Sequence, residues 1–221
     1  MKLYGVIGAG GFGKEVMPLA AHWLPIWDGI EHDSELVFVV EDQYFTQNQR
    51  VNGYRVMSMT EFLTAPVSER RFNISIGNSA VRERIANSIP ADVATPFSIH
   101  APNHVSLDGN SIGDGAIFCS FTNVTSNAKI GRFFHGNIYS YVAHDCVIGD
   151  FVTFAPGVMC NGHVVIEDHA YIGTGAIIRD GTDKPIVIGR GAVVGMGAVV
   201  TKSVPPGVTV IGNPAKPLIR D

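Results

Sequence analysis

Apolar residues in the second half of the chain recur every six positions. From Ile112 the row runs through Phe118, Val124, Ile130, Val142, Ile148, Phe154, Cys160, Ile166, Ile172 and Ile178, interrupted only by Gly136. A four-residue offset within residues 179–187 displaces the row, which resumes at Ile188, Val194 and Val200. The position after the row is often glycine, as at Gly113, Gly131, Gly149 and Gly189, and the fourth after it is small or β-branched, as at Ala116, Ala128, Val152, Ala176 and Ala198. A helix repeats near 3.6 and a half-buried strand near 2, so a period of about six describes a short strand followed by a tight turn. Three such hexads close one coil, and coils stacked about 4.8 Å apart bury their inward columns as a continuous core.

The first half follows a different pattern. Residues 2–7 read as a buried strand entering Gly8-Ala-Gly-Gly-Phe-Gly13, with a helix opening near Lys14. Further strands are expected at 36–40, ending in Glu41-Asp42, and at 72–76, ending in Gly77-Asn78-Ser79 ahead of a helical stretch with Arg82 and Arg84. The pattern predicts a small Rossmann-like α/β domain with a parallel sheet over residues 1–95 and a parallel β-helix over residues 96–221.

Composition narrows the partners. With 46% hydrophobic and 16% charged residues the chain is expected to fold rather than remain disordered. Its formal charge is -4 and no basic run exceeds Arg70-Arg71, so nothing recruits nucleic acid electrostatically. No apolar stretch approaches the roughly 18 residues of a membrane span, and the start of the chain is a strand and glycine turn rather than a signal peptide, which predicts a soluble cytoplasmic protein. Cys119, Cys146 and Cys160 are widely spaced, with no CxxC pair. That fits neither a disulfide framework nor a zinc site, so reduced thiols and no metal are expected.

The glycine loop between strand and helix is a candidate anion site, because its backbone approaches a phosphate closely and the helix N-terminus offers free N–H groups. About 95 residues hold one mononucleotide-binding half, which favours a nucleotide or nucleotide-sugar over NAD. A plain tight turn is the competing reading.

The segments Ile112-Gly-Asp-Gly-Ala, Ile172-Gly-Thr-Gly-Ala, Ile188-Gly-Arg-Gly-Ala and Val194-Gly-Met-Gly-Ala resemble the hexapeptide repeat of the left-handed parallel β-helix acyltransferases. The tail, Val199 to Gly207 followed by Ile211-Gly-Asn-Pro-Ala-Lys216, is similar to theirs. A small GxGxxG domain ahead of that helix resembles the bacterial nucleotide-sugar N-acetyltransferases and their sialic-acid O-acetyltransferase relatives. The resemblance implies acetyl-CoA as co-substrate, the amino group of a nucleotide-linked sugar (a 4-amino-4,6-dideoxy sugar) as acceptor, and a homotrimer with interfacial sites. It places the diphosphate on Gly8, Gly10, Gly11 and Gly13, and an acidic residue, Asp42 or alternatively Glu41, near the base or ribose. Ile99-His100-Ala101-Pro102 departs from the family order, so His100 and His104 receive no function and are expected at solvent or an interface.

Acetyl transfer needs a base, and histidine is the unperturbed side chain that titrates near neutrality. His22 and His32 fall in the first domain, while His135, His144, His163 and His169 sit at repeat positions expected to face outward. Val142-Ala-His-Asp-Cys-Val-Ile-Gly149 is similar to the family segment whose histidine is the base and whose neighbouring carboxylate orients it, which implies His144 and Asp145 as catalytic residues. Neighbouring side chains on a strand point apart, so Asp145 reaches the ring only if the chain turns a corner there. With eighteen residues per coil, Gly162 stacks beside His144 and His163 beside Asp145, with Ser126 and Asn127 on the other side. Gly162 would leave room for a thioester and offer an N–H to its oxyanion. Thr153 stands where the family carries a second histidine. The resemblance implies coenzyme A contacts at Gly162, His163, Gly173, Thr174, Gly195 and Lys216, and the inserted loop Asp180-Gly-Thr-Asp-Lys-Pro185 is read as an interface or CoA-side excursion. No metal is needed. O-acetylation of a sugar hydroxyl, and a non-catalytic or zinc-binding β-helix scaffold, remain the alternatives.

Overall fold

The computed structural model describes residues 1–27 and 34–219, so His32 lies outside the described residues. Among the described residues no helix is long and apolar enough to cross a membrane. The chain forms two compact units, Met1–Pro102 and Asn103–Asp221.

In the first unit β1 (Lys2–Ile7) leads into α1 (Gly11–Trp27), and β2 (Ser34–Val40) ends in a 3-10 turn, Asp42–Tyr44. There follow β3 (Arg50–Val51), β4 (Tyr54–Ser58), α2 (Met59–Thr64), β5 (Glu69–Ile74), α3 (Ser79–Ser88) and β6 (Thr95–Pro96). The sheet order is β3-β4-β2-β1-β5-β6, parallel except for the β3–β4 pair. The chain runs outward from β1 on one side and returns on the other at β5, so the loops after β1, β2 and β5 converge at the carboxyl edge, the switch point of an open α/β sheet. Leu3, Tyr4, Val6 and Ile7 are buried, as are Val37, Phe38 and Val39, which accounts for the apolar runs. α1 starts at Gly11, earlier than its pattern suggested, and β4 and α2 had no clear signal. Ser58 and Glu61 form a reciprocal capping box at the start of α2. Arg70 on β5 donates to the carbonyls of Phe62, Ala65 and Val93, fastening the end of α2 to the sheet.

The second unit is a three-sided parallel β-helix. Strands of two or three residues pair in register with those eighteen positions away, as in Asn123 with Tyr141 and Lys129 with Val147. Above the insertion the step is twenty-two, Val165 with Val187. Every apolar-row residue from Phe118 onward is buried, with Ile112 partly so at the open end. Gly136 breaks the row for a steric reason. A Cβ there would come 3.1 Å from the Phe134 ring and 3.4 Å from that of Phe118, in space already filled by the packed rings of Phe118, Phe134 and Phe154. An antiparallel pair, Thr209–Ile211 with Lys216–Pro217, closes the last coil.

One expectation about the histidines needs correction. His135 does not face solvent: it is 1% exposed, in register with Ile117 and Thr153, which are also buried. His100 packs on the Trp23 ring at 4.8 Å, and burial pushes its pKa down to about 4. His104 stacks on Phe118 at 4.4 Å, with Nδ1 2.8 Å from the Thr122 hydroxyl. Aromatic rings thus pack on both His100 and His104, which stay partly exposed.

Candidate active site

His144 lies where the chain leaves the strand Tyr141–Val142 and turns toward Val147–Ile148. The turn is made by Asp145 at φ 58°, with Asn127 and His163 in the same left-handed conformation one coil to either side. This bend is what allows adjacent side chains to meet: His144 Nδ1 is 2.8 Å from Asp145 Oδ2. An ionised carboxylate only accepts, so Nδ1 carries the proton and Nε2 presents a lone pair. That is the tautomer a base requires. The hydrogen bond from His144 is the main cause that holds the Asp145 carboxyl below the usual range, with the Asn127 amide and His163 adding to it.

The neighbouring coil completes the corner. The His163 N–H donates to the His144 carbonyl at 3.1 Å, and His163 Nε2 stands 3.7 Å from Asp145 Oδ2. The inserted loop folds onto the same column, with Gly181 N–H donating to the Gly162 carbonyl at 2.9 Å. Asp180 Oδ1 accepts from the Thr182 N–H at 2.7 Å and from its hydroxyl, bonds that lower the Asp180 pKa. Because the Thr182 hydroxyl gives its proton to Asp180, His163 Nδ1, 3.3 Å away, is the donor between those two. A Cβ on Gly162 would lie 2.6 Å from His144 Cε1, 2.7 Å from Asp180 Oδ2 and 2.8 Å from His144 Nε2, so only glycine fits. Ring nitrogens of His144 and His163 and an oxygen of Asp180 fall within 4.8 Å of one another, close enough to be metal donors by spacing alone.

In the first unit Gly8 adopts φ +110°, and a Cβ on Gly13 would sit 2.0 Å from the Gly8 carbonyl oxygen. These two glycines are demanded by the turn. Gly10 and Gly11 face open space, leaving their backbone approachable. Beside the loop lies a cleft of about 250 Å³ with Ile7, Val39, Tyr44 and Ile76 as walls and Glu41 among its lining residues. Glu41 also pairs with Arg84 at 2.9 Å. The Asp42 carboxylate instead accepts from the Thr60 N–H at 3.1 Å and the Thr60 hydroxyl at 3.0 Å, at the start of α2. Arg82 is buried and donates to the Ile76 carbonyl at 2.8 Å, with burial lowering its pKa to about 9.

The remaining expected positions are not gathered at the His144 corner. Gly173 and Gly195 occupy a different column, where the backbone at Met196 and the Ile211 side chain leave no room for a Cβ. Thr174 is exposed next to Gly173, and Lys216 is exposed in the terminal hairpin. Cys146 and Cys160 are buried in the core, and all three cysteines are free.

Residues 5–89 match the PglD N-terminal domain, and residues 163–202 match the hexapeptide repeat of succinyl-transferase. The GDP-perosamine N-acetyltransferase of Escherichia coli O157:H7 is 50% identical over all 221 residues, covering 98% of that protein. The chain belongs to the bacterial nucleotide-sugar N-acetyltransferase family. The structure of WeeI from Acinetobacter baumannii AYE superposes with a TM-score of 0.90 at 52% identity, over 99% of this chain and 100% of that one. The acetyltransferase domain of PglB from Neisseria gonorrhoeae FA1090, solved with acetyl coenzyme A, gives 0.83 at 32% identity over 98% of both chains. The coils are thus those of the left-handed parallel β-helix that family members share.

Asp180 and Thr182 reach the corner although the sequence of their loop reads as an excursion from the helix. The signal was there: two eighteen-residue steps from His144 reach Gly162 and then Asp180.

Proposed function

We propose that the chain is an acetyl-CoA-dependent N-acetyltransferase whose acceptor is the amino group of a GDP-linked 4-amino-4,6-dideoxy sugar such as GDP-perosamine. The observation that carries this reading is the His144–Asp145 pair at a coil corner, with Nε2 beside the side-chain-free Gly162 of the next coil. His144 takes a proton from the acceptor amine as its nitrogen attacks the thioester carbon, and the electron pair of the broken C–S bond leaves with sulfur. Asp145 fixes the ring and stabilises the imidazolium as it forms. Gly162 N–H serves the oxyanion. The Gly173, Thr174, Gly195 and Lys216 positions serve coenzyme A.

In the first unit the reading assigns the diphosphate to the loop Gly8 to Gly13 and the base to the cleft beside it. Glu41 lines that cleft while Asp42 holds Thr60 at the start of α2, so the reading moves the acidic role from Asp42 to Glu41. Exposed apolar side chains along the coils, among them the stacked pair Phe121 and Tyr139 with Met159 and Tyr171, support a homotrimer. Unpaired buried cysteines suit a cytoplasmic enzyme.

Acetyl-CoA turnover, read as thiol release, against GDP-, UDP- and dTDP-linked 4-amino and 3-amino sugars tests the proposal. The GDP-linked 4-amino sugar is expected to be the best acceptor. Silence across that panel with turnover on sialic acid would replace N- by O-acetylation.

A further inference from the structure

The residues stacked at the His144 position in successive coils are Ser126, His144, Gly162 and Asp180. No side chain stands between His144 and Asp180, and the two fold in over the Gly162 backbone so closely that a Cβ there would lie 2.8 Å from His144 Nε2 and 2.7 Å from Asp180 Oδ2. Ring nitrogens of His144 and His163 and an oxygen of Asp180 come within 4.8 Å of one another, a separation that one hydrogen-bonded cation can bridge. Asp180 Oδ1 is taken up by Thr182, which leaves Oδ2 directed toward the two histidines, 3.8 Å from His163 Nδ1. No lysine or arginine pairs with Asp145 or Asp180 among the described residues, so with neutral rings the corner carries two uncompensated negative charges. A corner of that charge favours a cation.

We propose that this cluster binds the acceptor amine in its protonated form, with Asp180 as counter-ion, and that Asp180 is what makes the site prefer an amine to a hydroxyl. The proposal rests on the reading of His144 as the base of an N-acetyltransferase and names the specificity determinant of that site. An ammonium between Asp180 and His144 loses one proton to solvent to become nucleophilic; the free amine attacks the thioester carbon, His144 takes the second proton, and the electron pair of the C–S bond leaves with sulfur, which receives that proton from His144. The sum is ammonium plus acetyl-CoA going to amide, free CoA thiol and one released proton. A sugar hydroxyl can donate one hydrogen bond to Asp180 Oδ2, but it carries no charge to offset that of the carboxylate.

The test compares binding of the amino sugar nucleotide with that of its counterpart bearing a hydroxyl in place of the amine, in the wild-type protein and in Asp180→Asn, with acetyl-CoA KM and thermal melting recorded alongside. Wild type is expected to favour the ammonium ligand, and Asp180→Asn to reduce that preference by about tenfold or more while acetyl-CoA KM holds. Asp180→Glu keeps the charge and is expected to retain most of the preference, and it serves as the reporter if the asparagine variant fails to fold. An unchanged preference in Asp180→Asn, or equal binding of both ligands by wild type, overturns the inference. Wild-type protein that acetylates no amino sugar overturns the functional reading instead, so the two failures are distinguishable.

Discussion

In the first unit a residue's surroundings are set by its own strand or helix and by polar side chains that reach across loops, such as Arg70 holding three carbonyls or Asp42 holding Thr60. In the second they are set by the residue one coil away, and columns decide what each side chain meets: Phe133 on Phe151, His163 beside His144, Asp180 over Gly162. Chemistry follows the same division. The α/β unit offers a cleft at one sheet edge, where loop conformation selects the polar groups, whereas the β-helix builds its site from a single corner repeated with different side chains.

The largest expected effect strikes the corner. His144→Ala should lower kcat by about 10²–10⁴ while leaving nucleotide affinity of the first unit unchanged, because the base acts only in the chemical step. A parallel loss of nucleotide binding would show that the two units are not separable in function. Next comes the coil core. Phe154→Ala, fully buried among Phe134 and its neighbours, should cost roughly 3–5 kcal/mol in chemical denaturation. A cost below about 1 kcal/mol would mean that the columns rearrange freely, contrary to their close packing.

Acid should act on the first unit through His100. Its folded pKa of about 4 lies below the ordinary 6.5, so between those values the unfolded chain binds a proton that the folded one does not. Stability is therefore full above pH 6.5 and declines as pH falls toward 4, by roughly 3 kcal/mol at most. Replacing His100 with Phe should flatten that part of the curve, measured by denaturant midpoint against pH. A smaller contrast separates two neighbouring acids. Glu41→Gln should raise the KM for the nucleotide sugar by about tenfold, and Asp42→Asn should chiefly lower the melting temperature. The reverse pattern would return the nucleotide role to Asp42. Chelation is expected to do nothing: EDTA treatment should leave turnover unchanged, and activity lost to EDTA and restored by zinc would turn His144, His163 and Asp180 into a metal site.

The coils were legible because each buried position repeats its evidence: one misleading residue, Gly136, stood against fourteen consistent ones. Column arithmetic also located His163 and Gly162 beside the base without any knowledge of loops. What escaped depended on contacts with no period. Glu41 and Asp42 are adjacent and chemically alike, and only the 3-10 turn after β2 decides which one turns to Thr60. His135 is buried although it lies outside the apolar row, and its own hexad carries no sign of that. β4 and α2 are too short for periodicity to build up.

The inserted loop has one more consequence. Ile178 before it and Ile186 after it are both buried, so the core passes by the excursion undisturbed. Lengthening a loop costs little, about 0.6 kcal/mol for each doubling. Residues 179–185 therefore behave as a cassette: a lineage, or an engineer, can exchange the segment beside His144 while the scaffold is inherited intact.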